Sequence, residues 1–108
     1  MEANQKAMNK SEPLPYRTQI EAVIKRALAE KKHRAYLFGS RVTSSHNFAS
    51  DIDIAIQAEE AVDLELSLAR ELLAESNIPF TVDLVNINQT SLSFKAQVLQ
   101  EGLLLWTS

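Results

Sequence analysis

Gly39-Ser40-Arg41-Val42-Thr43-Ser44-Ser45-His46-Asn47-Phe48-Ala49-Ser50-Asp51-Ile52-Asp53 is the stretch from which the rest of the chain is read. It follows the apolar run Ala35-Tyr36-Leu37-Phe38, short enough and apolar enough for a buried strand. Residues 39–50 are rich in Ser, Thr and Asn and read as a loop or weak helical turn. The alternation then becomes strict: Asp51-Ile52-Asp53-Ile54-Ala55-Ile56 is a strand with isoleucines on one face and aspartates on the other. Strand, glycine, loop, acidic strand is thus the central order.

Each part has a chemical reason. Glycine lacks a Cβ, so at Gly39 the backbone can turn sharply and approach a ligand. Ser40 offers an N–H and a hydroxyl to a phosphate oxygen. A helical turn begun there would add free N–H groups and a favourable dipole. Arg41 brings a permanent positive charge. Asp51 and Asp53 project to one face with Cα atoms roughly 6.5–7 Å apart. Carboxylates so close repel unless a cation lies between them. Hard oxygen ligands suit Mg²⁺, which keeps waters and takes further ligands from substrate phosphates. Asp83 lies on another strand candidate, Thr81-Val82-Asp83-Leu84-Val85, and can supply a third carboxylate. Three carboxylates can hold two metals about 3.5–4 Å apart, the spacing used for in-line nucleotidyl transfer. An EF-hand is excluded, because no glycine stands at its sixth position.

Outward from this stretch, Ile20, Val23, Ile24, Ala27 and Leu28 make an amphipathic helix from Tyr16 to about Lys32. Residues 60–76 form a second helix with two stripes. Val62, Leu66, Ala69 and Leu73 make one; Leu64, Leu68 and Leu72 make another, rotated away from it. The second stripe is either the margin of a wide core face or a contact with another subunit. Ser91 caps a last helix ending near Glu101, Gly102 serves as its C′ residue, and Leu103-Leu104-Leu105-Trp106 closes as a strand. The order α-β-loop-β-α-β-α-β predicts an α/β (α+β) domain: a small mixed sheet with helices mainly on one face. Phe38 and Trp106 are assigned to the core, His33 to an exposed helix end and His46 to the loop surface.

At 108 residues the chain fits one domain, residues 16–108, behind a flexible tail of residues 1–15 that holds Pro13 and Pro15. The lack of cysteine excludes disulfides and thiolate metal sites and suits a cytoplasmic setting. No apolar run reaches the roughly 20 residues of a membrane span, and the N-terminus lacks a signal peptide's apolar core. A net charge of −3 argues against direct nucleic-acid binding. The cations Lys25, Arg26, Lys31, Lys32 and Arg34 complement a helix C-terminus or form a docking patch for an acidic partner or phosphate.

Gly39-Ser40, ten residues, then Asp51-x-Asp53 matches the signature of the polymerase-β-like nucleotidyltransferase superfamily. With its small size, GSR and SDIDIAI, the chain resembles the minimal nucleotidyltransferases over residues 17–106. Within them it is similar to the MntA-type antitoxins paired with HEPN-domain toxins. The resemblance implies a polymerase-β-like nucleotidyltransferase fold and transfer of AMP from ATP, with two Mg²⁺ ions, to a hydroxyl on a partner protein. That partner would be a HEPN toxin ribonuclease, modified on a tyrosine and held in a hetero-oligomer. It further implies that Asp51, Asp53 and Asp83 ligand the metal and that Asp83 helps deprotonate the acceptor. Gly39 and Ser40 would hold the β and γ phosphates, with Arg41 supporting the triphosphate. Ser50 joins the nucleotide-binding set as a residue able to steady the aspartates, though ordinary loop chemistry accounts for it equally. One departure stands out: Ser44 occupies the place of the family's second arginine. The alternative function is therefore a catalytically weak module that neutralises its partner by masking it. A third is transfer to a small molecule, with a second chain completing the pocket.

Overall fold

The computed structural model describes residues 14–39 and 51–108. The first stripe behaves as its spacing predicts: Ile20, Ile24, Ala27 and Leu28 form the buried face of α1 (Arg17–Leu28). This helix stops four residues before Lys32. Ala29 adopts φ 53° and its N–H closes onto the Lys25 carbonyl at 2.9 Å, so the chain turns away. Lys31 is thereby placed to cross to the next helix, where its Nζ donates to Glu65 at 2.7 Å and to the Ala61 carbonyl at 2.8 Å. The core also reaches back to Leu14, which is buried although the sequence places it in the tail.

Four strands follow: β1 (His33–Phe38), β2 (Ile52–Ala58), β3 (Val82–Asn86) and β4 (Leu103–Thr107). Helix α2 (Asp63–Ala74) connects β2 to β3, and α3 (Leu92–Glu101) precedes β4. The sheet order is β3-β2-β1-β4. β1 runs antiparallel to both β2 and β4, whereas β2 and β3 are parallel, so the sheet is mixed as expected. Among the described residues, two of the three α-helices serve one face. Ile52, Ile54, Ile56, Ala35, Leu37 and Leu84 pack there with α1 and α2 in the main core. The other face carries a smaller cluster in which Tyr36 and Ala55 meet Val98 of α3 and Ile87. Ile87 belongs to a short 3₁₀ turn, Ile87–Gln89, absent from the sequence reading because three residues give no periodicity. Among the described residues, no helix is long and apolar enough to cross a membrane.

Several expectations need correction. His33 is 3% exposed and begins β1 rather than ending a helix. Its Nε2 accepts the Trp106 indole N–H at 2.9 Å, so Nδ1 carries the proton and lies 3.1 Å from the Lys31 carbonyl. A histidine beside Lys32 and Arg34 looks solvated in sequence, but its partner is 73 residues away. Trp106→Phe removes the donor while keeping most of the packing. We expect a loss of about 1–3 kcal/mol by urea denaturation, from a buried nitrogen left unsatisfied. The wide-core reading of α2 also fails, since Leu64, Leu68 and Leu72 all face solvent. Finally, Gly102 is the C-cap in an extended conformation, φ −73°, and not a left-handed C′ residue. Glycine is needed there for space: a Cβ would lie 2.5 Å from the Val98 carbonyl oxygen. Ser91 caps α3 as predicted, accepting the Phe94 N–H at 3.1 Å.

Candidate active site

The apolar isoleucines of β2 must face the core, and alternation then sends Asp53 to the opposite face. β3 obeys the same rule, with Leu84 inward and Asp83 outward. Their parallel register pairs Asp53 directly with Asp83. Adjacent strands lie about 4.8 Å apart, so two carboxylates stand side by side on one face. Asp51 lies just before β2, where the Ile52 N–H donates to the Thr81 carbonyl at 2.8 Å and brings the two strand entrances together. Asp51 and Asp83 are exposed and Asp53 is half-buried.

Asp53 responds to this setting. Its carboxyl is raised above the ordinary value of 3.8, first by partial burial, then by repulsion from Asp83 and from Asp51. The site therefore concentrates negative charge, and among the described residues no cation is paired with these carboxylates. No three His, Cys, Asp or Glu side chains among the described residues form a ready metal cage. The donor set instead fits a hard cation that takes its remaining ligands from water and substrate oxygens. Asp53 and Asp83 would provide the adjacent pair, with Asp51 at the rim.

Gly39 lies against the same carboxylate. Phe38, the last residue of β1, pairs with Asp53, and Gly39 then turns with φ 82°. A Cβ at Gly39 would fall 2.5 Å from Asp53 Oδ2. The sequence reading gave this glycine a ligand-facing role; the structure gives it another as well, leaving room for the acidic side chain. Ser40, Arg41, Ser44, His46 and Ser50 lie outside the described residues, so of the half of the motif expected to hold phosphate only Gly39 is described.

Sequence reasoning missed one residue that shapes the site. Arg70 of α2 donates to the Leu84 carbonyl from Nε at 3.2 Å and from Nη2 at 2.9 Å. It fastens the crossover helix to the strand that carries Asp83. An arginine on an otherwise acidic and apolar helix was the available signal.

The basic cluster is divided by the fold. Lys25 pairs with Glu21 at 2.8 Å and Lys31 with Glu65 at 2.7 Å. Lys32 and Arg34 instead join Lys95, Gln57, Asn88 and Thr107 around a cleft of about 590 Å³. That cleft lies where β1 begins and β2 ends, at the opposite end of the strands from the aspartates, and it is not the acidic site.

Comparison with known proteins agrees with this fold. Residues 18–108 match the family described as polymerase beta, nucleotidyltransferase. A curated relative from Haemophilus influenzae, a probable protein adenylyltransferase MntA, is 35% identical over 77 residues, covering 68% of each chain. A crystal structure of a toxin–antitoxin with AMP-PNP superposes with a TM-score of 0.66 at 30% identity, covering 83% of this chain and 73% of that one. A crystal structure of the toxin–antitoxin MntA–HepT superposes with a TM-score of 0.59 at 29% identity, covering 85% and 70%.

Proposed function

The chain belongs to the polymerase beta nucleotidyltransferase family, and from that premise we propose that it adenylylates a partner protein, a HEPN-type toxin, as the antitoxin of a pair. The observation that carries this reading is the side-by-side placement of Asp53 and Asp83 beneath Gly39. The name of the curated relative supports protein adenylylation, and the superposed toxin–antitoxin complexes support a toxin as acceptor. The setting we propose is the cytoplasm, where ATP is supplied.

In this reading Asp51, Asp53 and Asp83 hold Mg²⁺. The cation's chemistry is to neutralise charge on the triphosphate and at the α-phosphorus. The chain's own residues supply position. Gly39 turns just after β1, beside the Asp53 carboxylate, and Ser40, Arg41 and Ser50 are proposed to take the phosphates. The acceptor hydroxyl attacks the α-phosphorus, the bond to the β-phosphate breaks and pyrophosphate leaves. Asp83, exposed at the outer strand, takes the hydroxyl proton. Most of the rate gain comes from alignment and charge rather than covalent chemistry by the protein.

Intact mass spectrometry of the toxin, co-expressed with this chain and then purified, tests the proposal. We expect one or more AMP additions that are missing when the toxin is expressed alone. A toxin that is inhibited and bound yet unmodified would instead establish masking.

A further inference from the structure

Helix α2 presents leucines on two sides, and only one side is used by the core. Leu66, Ala69 and Leu73 are buried. Leu64, Leu68 and Leu72 are 83%, 46% and 38% exposed. At four-residue spacing they form a continuous stripe about 12 Å long, roughly 130° around the helix from the buried one. Single exposed leucines are ordinary, but three in line opposite the core mark an interaction surface.

Charge decides what covers it. Glu71 and Glu75 lie in the same exposed sector, and neither has an ion pair among the described residues. The other acids of the helix are engaged: Asp63 accepts from Asn86 and Gln89, and Glu65 from Lys31. The helix's one cation, Arg70, is bonded to the Leu84 carbonyl. A second copy of this chain would therefore bring like charges together, with no cation paired to either glutamate among the described residues. A helix whose apolar stripe is edged by Lys or Arg meets both the leucines and the glutamates.

We propose that Leu64, Leu68 and Leu72, edged by Glu71 and Glu75, dock a basic-edged amphipathic helix of the partner protein. The proposal rests on the reading of a protein acceptor and adds where that acceptor is held. α2 covers the sheet face opposite the one bearing Asp53. Docking there leaves the acidic site open, so the partner is anchored on one surface and reacts at another. A remote anchor would raise the effective concentration of the acceptor hydroxyl at the site.

Calorimetric titration of the full-length chain with the intact HEPN-domain toxin tests this. The variant Leu64→Ser/Leu68→Ser/Leu72→Ser should bind on the order of 100-fold more weakly. Glu71→Lys/Glu75→Lys should bind about 10-fold more weakly at low salt, with the deficit shrinking as salt rises. Circular dichroism checks that both remain folded; their substitutions lie on the solvent face. Wild-type affinity in the triple-leucine variant would overturn the proposal. So would a homodimer of the unaltered chain that this variant dissolves. Tight binding through the stripe without AMP transfer would support the anchor while removing the enzymatic reading.

Discussion

Asp53→Asn is expected to reduce AMP transfer on the order of a thousand-fold and, in metal-free protein at neutral pH, to raise the melting temperature. Both effects have one origin. Burial and the neighbouring Asp83 and Asp51 raise the Asp53 carboxyl above its ordinary value of 3.8. The folded state therefore binds a proton more readily than the unfolded state does. Stability falls as pH rises from the ordinary carboxylate value through the raised folded one, and the penalty is complete above it. Asparagine carries no such penalty. The gain in melting temperature should thus be full at neutral pH and vanish below about pH 3.8. Mg²⁺ should reverse the ranking, raising the melting temperature of the unaltered chain and leaving the variant nearly unmoved. Thermal scans across pH, with and without Mg²⁺, check the stability half; transfer from α-labelled ATP to the toxin checks the other. A variant no more stable than the parent in metal-free neutral buffer would show that repulsion at the site is relieved within the chain.

Gly39→Ala is the second large effect. The added methyl carbon would lie 2.5 Å from Asp53 Oδ2, while φ 82° is a conformation that L-residues rarely adopt. The backbone penalty alone is about 1–2 kcal/mol. The collision then displaces either the carboxylate or the turn. Since a shift of about 1 Å in a reacting group can lower the rate about 100-fold, we expect a loss of that order. The diagnostic is the split: the variant should lose activity far out of proportion to its stability, measured by transfer rate and urea denaturation together. Gly102→Ala is the useful contrast. It too meets a contact of 2.5 Å, but with the Val98 carbonyl of α3 and not with a carboxylate.

The fold was legible where one periodicity dominated. Ile52, Ile54 and Ile56 determine which way Asp53 faces, and Val82 with Leu84 do the same for Asp83. The acidic pair therefore follows from alternation once the strands are neighbours. What alternation cannot supply is register, a long-range property that here sets Asp53 against Asp83. His33 was misplaced for a related reason. Its surroundings in sequence are Lys32 and Arg34, whereas its environment in space is Trp106. The end of α1 was overrun because Lys31 and Lys32 are good helix formers, whereas the helix stops where Ala29 takes φ 53°, a turn that helix propensity does not register. The second leucine stripe could not be assigned from spacing, since spacing states which leucines share a side and not whether that side is covered. The tight fit at Gly39 could not be foreseen either, because it depends on a side chain fourteen residues later.

The parallel pairing of β2 and β3 has one last consequence. Because side chains alternate along a strand, a slip of β3 by one residue would send Asp83 into the core and Leu84 into water. The pairing that seals the apolar interior is the same one that sets two carboxylates abreast. Folding thus proofreads the enzyme: a chain that has buried its leucine correctly has, by that act, also armed its acidic pair.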